Sequence, residues 1–200
     1  MIIYDASSDT TADVLQTYAS KDSRVRVLRN TINIGLTRSL NKGLKEAQGK
    51  YVARLDDTDI ALPERLRLQV DFLENNPSYA LVGSWVFEES RGVSYIRKLP
   101  TENAAIKRAL IFRNPFVHSA VMMRKEALDK VGWYDERWKY AQDYELYFRI
   151  ARSFNMANLP EVIDRMGAVC RRSADSKQEQ SALVLLKLYQ KTHRVLNFLA

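Results

Sequence analysis

The chain has 200 residues, 46% of them hydrophobic and 28% charged, which is the composition of an ordinary soluble globular domain. We predict no membrane-spanning helix, because no apolar run approaches ~20 residues, and no signal peptide; one cysteine excludes internal disulfides and a cysteine-rich zinc site. The net charge of +7 is dispersed, without a zinc-finger or RNP motif, so we expect no nucleic-acid binding.

The first third of the chain alternates strand-like and helix-like segments. Apolar spacing predicts strands over residues 2–4, 25–28 and 51–55, and helices over residues 10–18 and 36–47. Such alternation implies parallel strands with right-handed crossovers. Ligands of open parallel sheets bind beyond the carboxyl ends of the strands. Asp5, at the end of the first strand, and Asp56, at the end of the third, are therefore expected along one rim.

Three carboxylates follow the third strand within four residues: Asp56, Asp57 and Asp59. Like charges this close repel and favour each other's neutral form, and a hard divalent cation relieves the repulsion because it takes oxygen ligands. The sequence therefore predicts a metal site formed by these three acids. The alternative interpretation is a solvated acidic loop in which Asp59 caps a turn, and this stretch alone does not decide between the two.

The remainder of the chain continues with shorter elements. Helices are predicted from Pro63 to about residue 75, over residues 101–110 and 125–131, after Gln142, and from Asp175 onward; strands are predicted over residues 81–87, 94–98, 120–123, 156–159 and 162–165. His118 is interpreted as a hydrogen-bonding loop or core residue, with a place beside a ligand cleft as the alternative.

Six segments, taken together, carry a family resemblance. They are YDASSD (residues 4–9), NIGLTRSLNKGL (33–44), GKYVARLDDTDIALPERL (49–66), FLENNPSYALVGS (72–84), FRNPFVHSAVMMRK (112–125) and GWYDERWKYAQDYELYFRIA (132–151). In this order and spacing they resemble the family-2 glycosyltransferases, and the resemblance runs through nearly the whole chain. It implies an α/β fold of the GT-A (nucleotide-diphospho-sugar transferase) type, with a mostly parallel central sheet flanked by helices.

The resemblance also implies an activity. This is the inverting transfer of a sugar from a nucleotide-diphospho-sugar, most often a UDP-sugar, to a hydroxyl of a saccharide or lipid-linked acceptor in polysaccharide or glycolipid synthesis. Asp5 matches the carboxylate that contacts the nucleotide base, and Asp56 matches the first acid of the DxD motif near the ribose and diphosphate. Asp143 matches the general base that takes the acceptor proton. Arg54 is expected to lean toward the diphosphate or to pair with a carboxylate.

Two residues depart from the family pattern within the predicted site. The resemblance implies a Mn or Mg ion that bridges the donor phosphates, with Asp56, Asp57 and Asp59 as ligands. Thr58, however, stands where the usual metal-binding acid falls, and a neutral hydroxyl is a poorer partner for a hard cation than a carboxylate. Gln142 replaces the acidic neighbour of the general base, which is expected to lower the pKa of the base.

We predict a single domain over residues 1–200, with a nucleotide-sugar-binding half (1–100), an acceptor-side half (101–167) and a helical tail (168–200). Family members begin with one more strand and helix, so we expect a missing mid-sheet strand between the strands that end at Asp5 and Asp56. Unpaired backbone groups are costly when buried. We therefore expect a second copy of the chain in a homo-oligomer, a tail segment or a distorted sheet to close the gap.

Two further hypotheses concern location and activity. The chain is expected in the cytoplasm, and the basic and apolar faces of the tail helix suit either packing on the domain or peripheral contact with an anionic membrane. The rival to an active enzyme is a truncated, non-catalytic remnant that binds nucleotide-sugar weakly or only mediates association. Thr58, Gln142 and the missing strand favour this rival.

Overall fold

The computed structural model describes residues 1–90 and 92–167, and its elements follow the predicted order. The strands are β1 (Ile2–Asp5), β2 (Val27–Asn30), β3 (Tyr51–Ala53), β4 (Ile60–Ala61), β5 (Tyr79–Ser90), β6 (Val93–Arg97), β7 (Met122–Arg124) and β8 (Asn155–Met166). The helices are α1 (Thr11–Lys21), α2 (Leu36–Glu46), α3 (Arg65–Asn75), α4 (Asn103–Leu110), α5 (Lys125–Val131) and α6 (Gln142–Ala151), with a 3₁₀ turn over His118–Ala120. None of these described helices is long and apolar enough to cross a membrane. The predicted helical tail lies outside the described residues.

The strands form two sheets. β1 and β2 pair in parallel, and the other six strands form a second sheet with the order β3-β7-β5-β8-β4 and with β6 on β5. β1 and β3 thus lie in different sheets, as expected for strands that another strand would separate. Among the described strands, β1 pairs only with β2. The two sheets are thus separate among the described residues, and the three predicted ways to close the gap (a distorted sheet, the tail and a second copy) stay predictions.

The α/β architecture is confirmed, but the pairing is not the mostly parallel one that we predicted. β1–β2 and β5–β8 are parallel, whereas β3–β7, β4–β8, β5–β6 and β5–β7 are antiparallel. A parallel pair needs a long crossover connection, and a tight hairpin produces an antiparallel pair. β6 returns along β5 through such a hairpin at Gly92, whose φ is 76°. The parallel β5–β8 pair is instead joined through the helices α4 to α6.

The two short strands predicted over residues 156–159 and 162–165 are one strand, β8. Its register along β5 shifts between Ser84, which lies opposite Leu159, and Trp85, which lies opposite Val162. The two residues skipped on β8 begin with Pro160, which has no N–H to donate and is therefore confined to edges and bulges of sheets. The sequence break at Pro160 is thus a bulge within a continuous strand.

Helices cover both faces of the larger sheet. On β5, Leu81 is buried among residues of α4 and α6 such as Ile106 and Tyr147. Its neighbour Val82 points the other way, into a cluster with Leu73 of α3. Successive side chains of a strand alternate between faces, so these two clusters are the cores above and below the sheet. The sheet therefore lies between α3 on one side and α4 to α6 on the other, and β3 and α6 can supply groups to one site.

Candidate active site

Asp5 lies at the end of β1 and holds the turn that leads into α2. Its Oδ1 accepts hydrogen bonds from Asn30 Nδ2 and the Ile34 N–H, and its Oδ2 accepts one from the Gly35 N–H, each at 2.9 Å. Burial raises the pKa of Asp5, but hydrogen bonds from Ile34, Asn30, Gly35 and Ser39 outweigh this effect and lower the pKa below its usual value. Asp5 is therefore an ionised carboxylate fixed at the N-terminus of α2. Its predicted contact with a nucleotide base stays a prediction.

Arg54 and Asp56 form a two-pronged ion pair at the end of β3. Both terminal guanidinium nitrogens of Arg54 donate to the two carboxylate oxygens of Asp56. The Arg54 side chain is buried and that of Asp56 is one-third exposed, at 8% and 32%. The Arg54 N–H donates to the Val121 carbonyl at 3.0 Å, which fixes the backbone of the arginine against the segment before β7. Of the two sequence-based alternatives for Arg54, pairing with a carboxylate is the one observed.

The other two acids of the acidic stretch face in different directions. Asp57 is exposed, whereas Asp59 is buried. Asp59 Oδ1 accepts the Gly167 N–H at 2.9 Å, and its Oδ2 is buried without a hydrogen-bond partner among the described residues. A Cβ on Gly167 would lie 2.2 Å from the Thr58 carbonyl oxygen, so the loop packs against the end of β8 too closely for any other residue there. These contacts are those of a loop anchored to the sheet.

Asp143 lies in the first turn of α6 with its side chain half-buried. Asn114 Nδ2 donates to Asp143 Oδ2 at 2.8 Å. Burial raises the pKa of Asp143; the Tyr144 N–H, the Asn114 amide and the positive charge of Arg54 oppose this effect without cancelling it. Ala141 immediately precedes α6, and its φ of 55° is unusual for a residue with a Cβ. Backbone strain of this kind concentrates at functional sites.

A neutral histidine and two tyrosines surround the Arg54 and Asp143 side chains. His118 Nε2 lies 2.8 Å from the Tyr134 hydroxyl oxygen. Burial, together with the charge of Arg54, holds the pKa of His118 well below its usual value of 6.5. Burial also raises the pKa of Tyr134 and of Tyr147, and both hydroxyls feel the charges of Arg54 and Asp143. These three side chains are therefore uncharged at neutral pH, and Arg54 supplies the positive charge that acts on the carboxyl group of Asp143.

Helix α2 links the Asp5 end of the molecule to this cluster. Asn41 Nδ2 donates to the Tyr134 carbonyl at 2.8 Å, and the Tyr134 N–H donates to Asn41 Oδ1 at 3.1 Å. Thr37 Oγ1 donates to the Trp138 carbonyl at 2.9 Å. The helix that follows the turn held by Asp5 is thus bonded to the loop that precedes α6. The structure pairs Arg54 with Asp56 and places Asp143 within reach of the charge of Arg54, and α2 connects Asp5 to the loop before α6.

Sequence reasoning missed one polar residue of the site, Asn114. It lies in a loop before Pro115, where nothing in the local pattern indicates a partner 29 positions later in the chain. The only available signal was its place inside the FRNPFVHSAVMMRK segment, between the end of α4 and His118. The local pattern likewise gives no signal for Tyr147, which is one of the largest fully buried side chains.

The α/β fold and the acidic groups at the ends of β3 and α6 define a domain of the GT-A class of nucleotide-diphospho-sugar transferases. The solved mannosyltransferase PcManGT from Pyrobaculum calidifontis, in complex with GDP-Man and Mn²⁺, has the same fold: its TM-score is 0.69 over 96% of this chain and 55% of that chain, at 17% identity. The model of the family described as "Glycosyl transferase family 2" matches residues 1–132. The chain belongs to this family, which confirms the resemblance seen in the sequence.

Two relatives illustrate the family. The Amylovoran biosynthesis glycosyltransferase AmsE of Erwinia amylovora is 36% identical over 138 residues, which is 68% of this chain and 52% of AmsE. The UDP-Gal:alpha-D-GlcNAc-diphosphoundecaprenol beta-1,3-galactosyltransferase of Escherichia coli is 33% identical over 135 residues, 66% of this chain and 48% of that enzyme. The chain spans about half the length of both relatives.

Proposed function

We propose that this chain carries the donor site and the general base of an inverting glycosyltransferase. The donor would be a nucleotide-diphospho-sugar, and the acceptor a hydroxyl of a saccharide or lipid-linked saccharide in polysaccharide or glycolipid synthesis. The single observation that carries this proposal is that Asp143, oriented by Asn114, lies within reach of the charge of Arg54 in a family-2 domain. The names of the two relatives support a role in surface-polysaccharide or lipid-linked saccharide synthesis.

The proposed chemistry assigns one task to each side of the site. Asp143 takes the proton of the acceptor hydroxyl while that oxygen bonds to the anomeric carbon, and the bond between this carbon and the diphosphate oxygen breaks with its electron pair on the diphosphate. A raised pKa brings a carboxylate base closer to neutral pH, where general bases are most effective. Asp5 would hold the nucleotide base and Asp56 the ribose and diphosphate side. The halves 1–100 and 101–167 would then serve donor and acceptor, respectively.

The described residues do not fit the divalent ion that the sequence predicts. Asp56 uses both carboxylate oxygens on Arg54, Asp57 points to solvent, and Asp59 bonds the Gly167 N–H. In the part of the chain that the structure describes, no group of three or more His, Cys, Asp and Glu side chains is arranged to hold a metal ion. The Mn or Mg ion stays a prediction, and no step of the proposed transfer is derived through it.

The proposed function predicts binding of a nucleoside diphosphate and turnover of a nucleotide-sugar. Calorimetry with UDP and GDP, each with EDTA and with Mn²⁺, is expected to give saturable binding to one of them. A panel of UDP- and GDP-sugars should then identify the donor by release of the nucleoside diphosphate. Binding without turnover on any donor or acceptor would favour the non-catalytic remnant. A lack of binding to both nucleotides in all four conditions would contradict the proposed function.

A second prediction concerns the hydrogen bond between Asn114 and Asp143. The amide lowers the pKa of Asp143, so Asn114→Ala is expected to raise that pKa further. Because a general base acts only when deprotonated, the acidic limb of kcat/KM against pH should move to higher pH. At pH 7 the rate should fall about tenfold or more, since the carboxylate also loses its orientation.

The control for Asn114→Ala is Asn75→Ala at the end of α3. Asn75 is exposed, and its side-chain amide donates to the Asp71 carbonyl at 2.9 Å, away from the site. This variant should keep the wild-type pH profile. An unshifted acidic limb in Asn114→Ala would show that Asn114 does not set the ionisation of the base.

A further inference from the structure

We propose that Arg54 itself supplies the fixed positive charge for the donor diphosphate, so that this site binds nucleoside diphosphates without a divalent ion. This inference rests on the proposed function and concerns the same site. It starts from the disagreement between the acidic stretch, which predicts a metal, and the contacts that its three acids make. A nucleoside diphosphate carries several negative charges, and a site that binds it needs a cation at a fixed position.

The acid positions nearest to the predicted metal offer few free oxygens, because Asp56 is paired with Arg54 and only Oδ2 of Asp59 has no partner among the described residues. The family pattern leaves Thr58 at the position of the usual metal-binding acid. Asp59, the next acid in the chain, is buried and bonded to the Gly167 N–H at 2.9 Å. The Thr58 carbonyl packs closely against Gly167: a Cβ added to Gly167 would lie 2.2 Å from the Thr58 carbonyl oxygen. The loop is thus tied to the end of β8 through Asp59 Oδ1.

Asp56 is neutralised by Arg54 rather than left free for a cation. An arginine that grips a carboxylate with two parallel hydrogen bonds makes one of the strongest ion pairs in proteins. The Arg54 side chain is only 8% exposed, so water screens this pair little. A divalent ion would have to displace the guanidinium group to reach the carboxylate oxygens of Asp56. It would then leave the charge of Arg54 buried without its partner, which is strongly unfavourable.

Arg54 keeps donors for a diphosphate while it stays paired with Asp56. A guanidinium group has five N–H donors in a rigid fork, and the bonds to Asp56 use two of them. The remaining three can take phosphate oxygens, for which the planar fork is well suited. Its backbone is held on both sides: the Arg54 N–H donates to Val121, and the Arg54 carbonyl accepts from Arg65 Nη2 at 2.5 Å.

The charge of Arg54 also reaches the acceptor side of the site. It lowers the pKa of Asp143 and that of His118. One permanent cation can therefore favour the ionised base, keep the histidine neutral and attract the negative charge that grows on the leaving diphosphate. Arginine stays protonated at all working pH values, so this role does not depend on pH or on a bound ion.

The test is calorimetry of UDP and GDP binding to the wild-type chain in EDTA and in Mn²⁺, with electron paramagnetic resonance of Mn²⁺ as a second measurement. For the nucleotide that binds, the two dissociation constants are expected to agree within about threefold, and adding the protein to Mn²⁺ and nucleotide should immobilise no further Mn²⁺ in the resonance spectrum. An affinity that rises tenfold or more with Mn²⁺, together with a bound-Mn²⁺ signal, would overturn the role given to Arg54 and leave the proposed transferase intact. No binding under any condition would instead contradict the proposed function.

The variant Arg54→Gln removes the charge and keeps most of the side-chain volume. Its affinity for the nucleotide in EDTA should fall about ten- to a hundredfold, the usual effect of losing charge-assisted hydrogen bonds. Arg24→Gln is the matched control, because the Arg24 side chain is 89% exposed and paired with Asp22 on the surface; it should bind within about twofold of wild type. Unchanged affinity in a folded Arg54→Gln protein would overturn the inference.

A double exchange tests the same idea by gain of function. Arg54→Gln with Thr58→Asp removes the internal cation and restores the acid of the usual pattern, and Thr58 is exposed, so the change fits sterically. This variant is expected to recover nucleotide affinity only when Mn²⁺ is present. Recovery that is equal in EDTA and Mn²⁺ would contradict the proposal that Arg54 and a metal serve the same purpose.

Discussion

Replacing Asp143 with asparagine is expected to lower turnover by at least a hundredfold while nucleotide binding stays within about threefold of wild type. The amide cannot take the acceptor proton, yet it is nearly isosteric with the carboxylate. It can still accept the hydrogen bond that Asn114 Nδ2 donates at 2.8 Å. The measurements are release of nucleoside diphosphate from the donor found in the panel and calorimetry with the free nucleotide. Full activity in Asp143→Asn would show that another group is the base.

The same substitution is expected to stabilise the fold at neutral pH. The pKa of Asp143 in the folded protein is raised above its usual value of 3.8, with burial as the main cause. The folded state therefore binds its proton more readily than the unfolded state, and stability falls as the pH rises through this range. Asparagine is uncharged, so its burial does not carry the cost of burying a carboxylate. The melting temperature of Asp143→Asn should exceed that of wild type at pH 7, and the difference should shrink at pH 4.

Asp71→Asn provides the matched control for both measurements. Asp71 lies on α3 with a side chain that is 56% exposed and paired with Arg67. Surface substitutions of this kind change stability little, so both turnover and melting temperature should stay close to wild type. If Asp143→Asn instead melted below wild type at pH 7, the carboxylate would be contributing to stability. That result would contradict a raised pKa of Asp143 in the folded protein.

The fold was predictable because its main signals are local. Apolar periodicity gave each helix and most strands to within a few residues, and the alternation of the first third gave the parallel β1–β2 pair. Strand pairing in the larger sheet was not predictable in this way, because it depends on where the chain returns. The β5–β6 hairpin turns at Gly92, so this breaker ends a strand. Pro160 instead lies in a bulge of β8, where the register shifts but the strand continues.

The sequence proposes the acids of the candidate site but not their connections. Asp5, Asp56 and Asp143 are predicted from their places in the family pattern, and their roles stay predictions. The partners that decide what these acids do lie far away in the chain: Asn114 binds Asp143, and Gly167 binds Asp59 across 108 positions. Three acids within four residues suggest one shared cation, but side chains close in sequence can point in different directions. Asp57 is exposed, as in a solvated loop, whereas Asp59 is buried and anchors the loop to Gly167, and the metal role of these acids stays a prediction.

Replacing Arg65 with methionine is expected to lower the free energy of unfolding by about 3–5 kcal/mol, the usual effect of removing one partner from a buried ion pair. The side chains of Arg65 and Asp164 are 2% and 0% exposed, and Arg65 Nη1 lies 2.7 Å from Asp164 Oδ2. Arg65 also donates to Gln69 and to the Arg54 carbonyl. Methionine fills much of the volume but satisfies none of these acceptors, so Asp164 would remain buried without a cation.

Arg67→Met, two positions further along α3, separates this effect from a general loss of arginine. The Arg67 side chain is 58% exposed and pairs with Glu64 and Asp71 on the surface. Its loss should change the free energy of unfolding by no more than about 0.5 kcal/mol. Urea denaturation of both variants under identical conditions gives the comparison. Similar small losses in both would mean that the buried pair contributes little.

The pH dependence of the Arg65→Met defect identifies its cause. Burial raises the pKa of Asp164 to about 7, against the lowering influence of Arg65 and with the negative charges of Asp59 and Asp56 adding to the rise. When the pKa of an acid is higher in the folded state, the protein loses stability as the pH rises above the pKa of that acid in the unfolded state. Removing Arg65 raises this pKa further, so the loss should be larger at pH 8 than at pH 5. Adding Asp164→Asn should remove this pH dependence, whereas an equal loss at both pH values would assign the defect to packing alone.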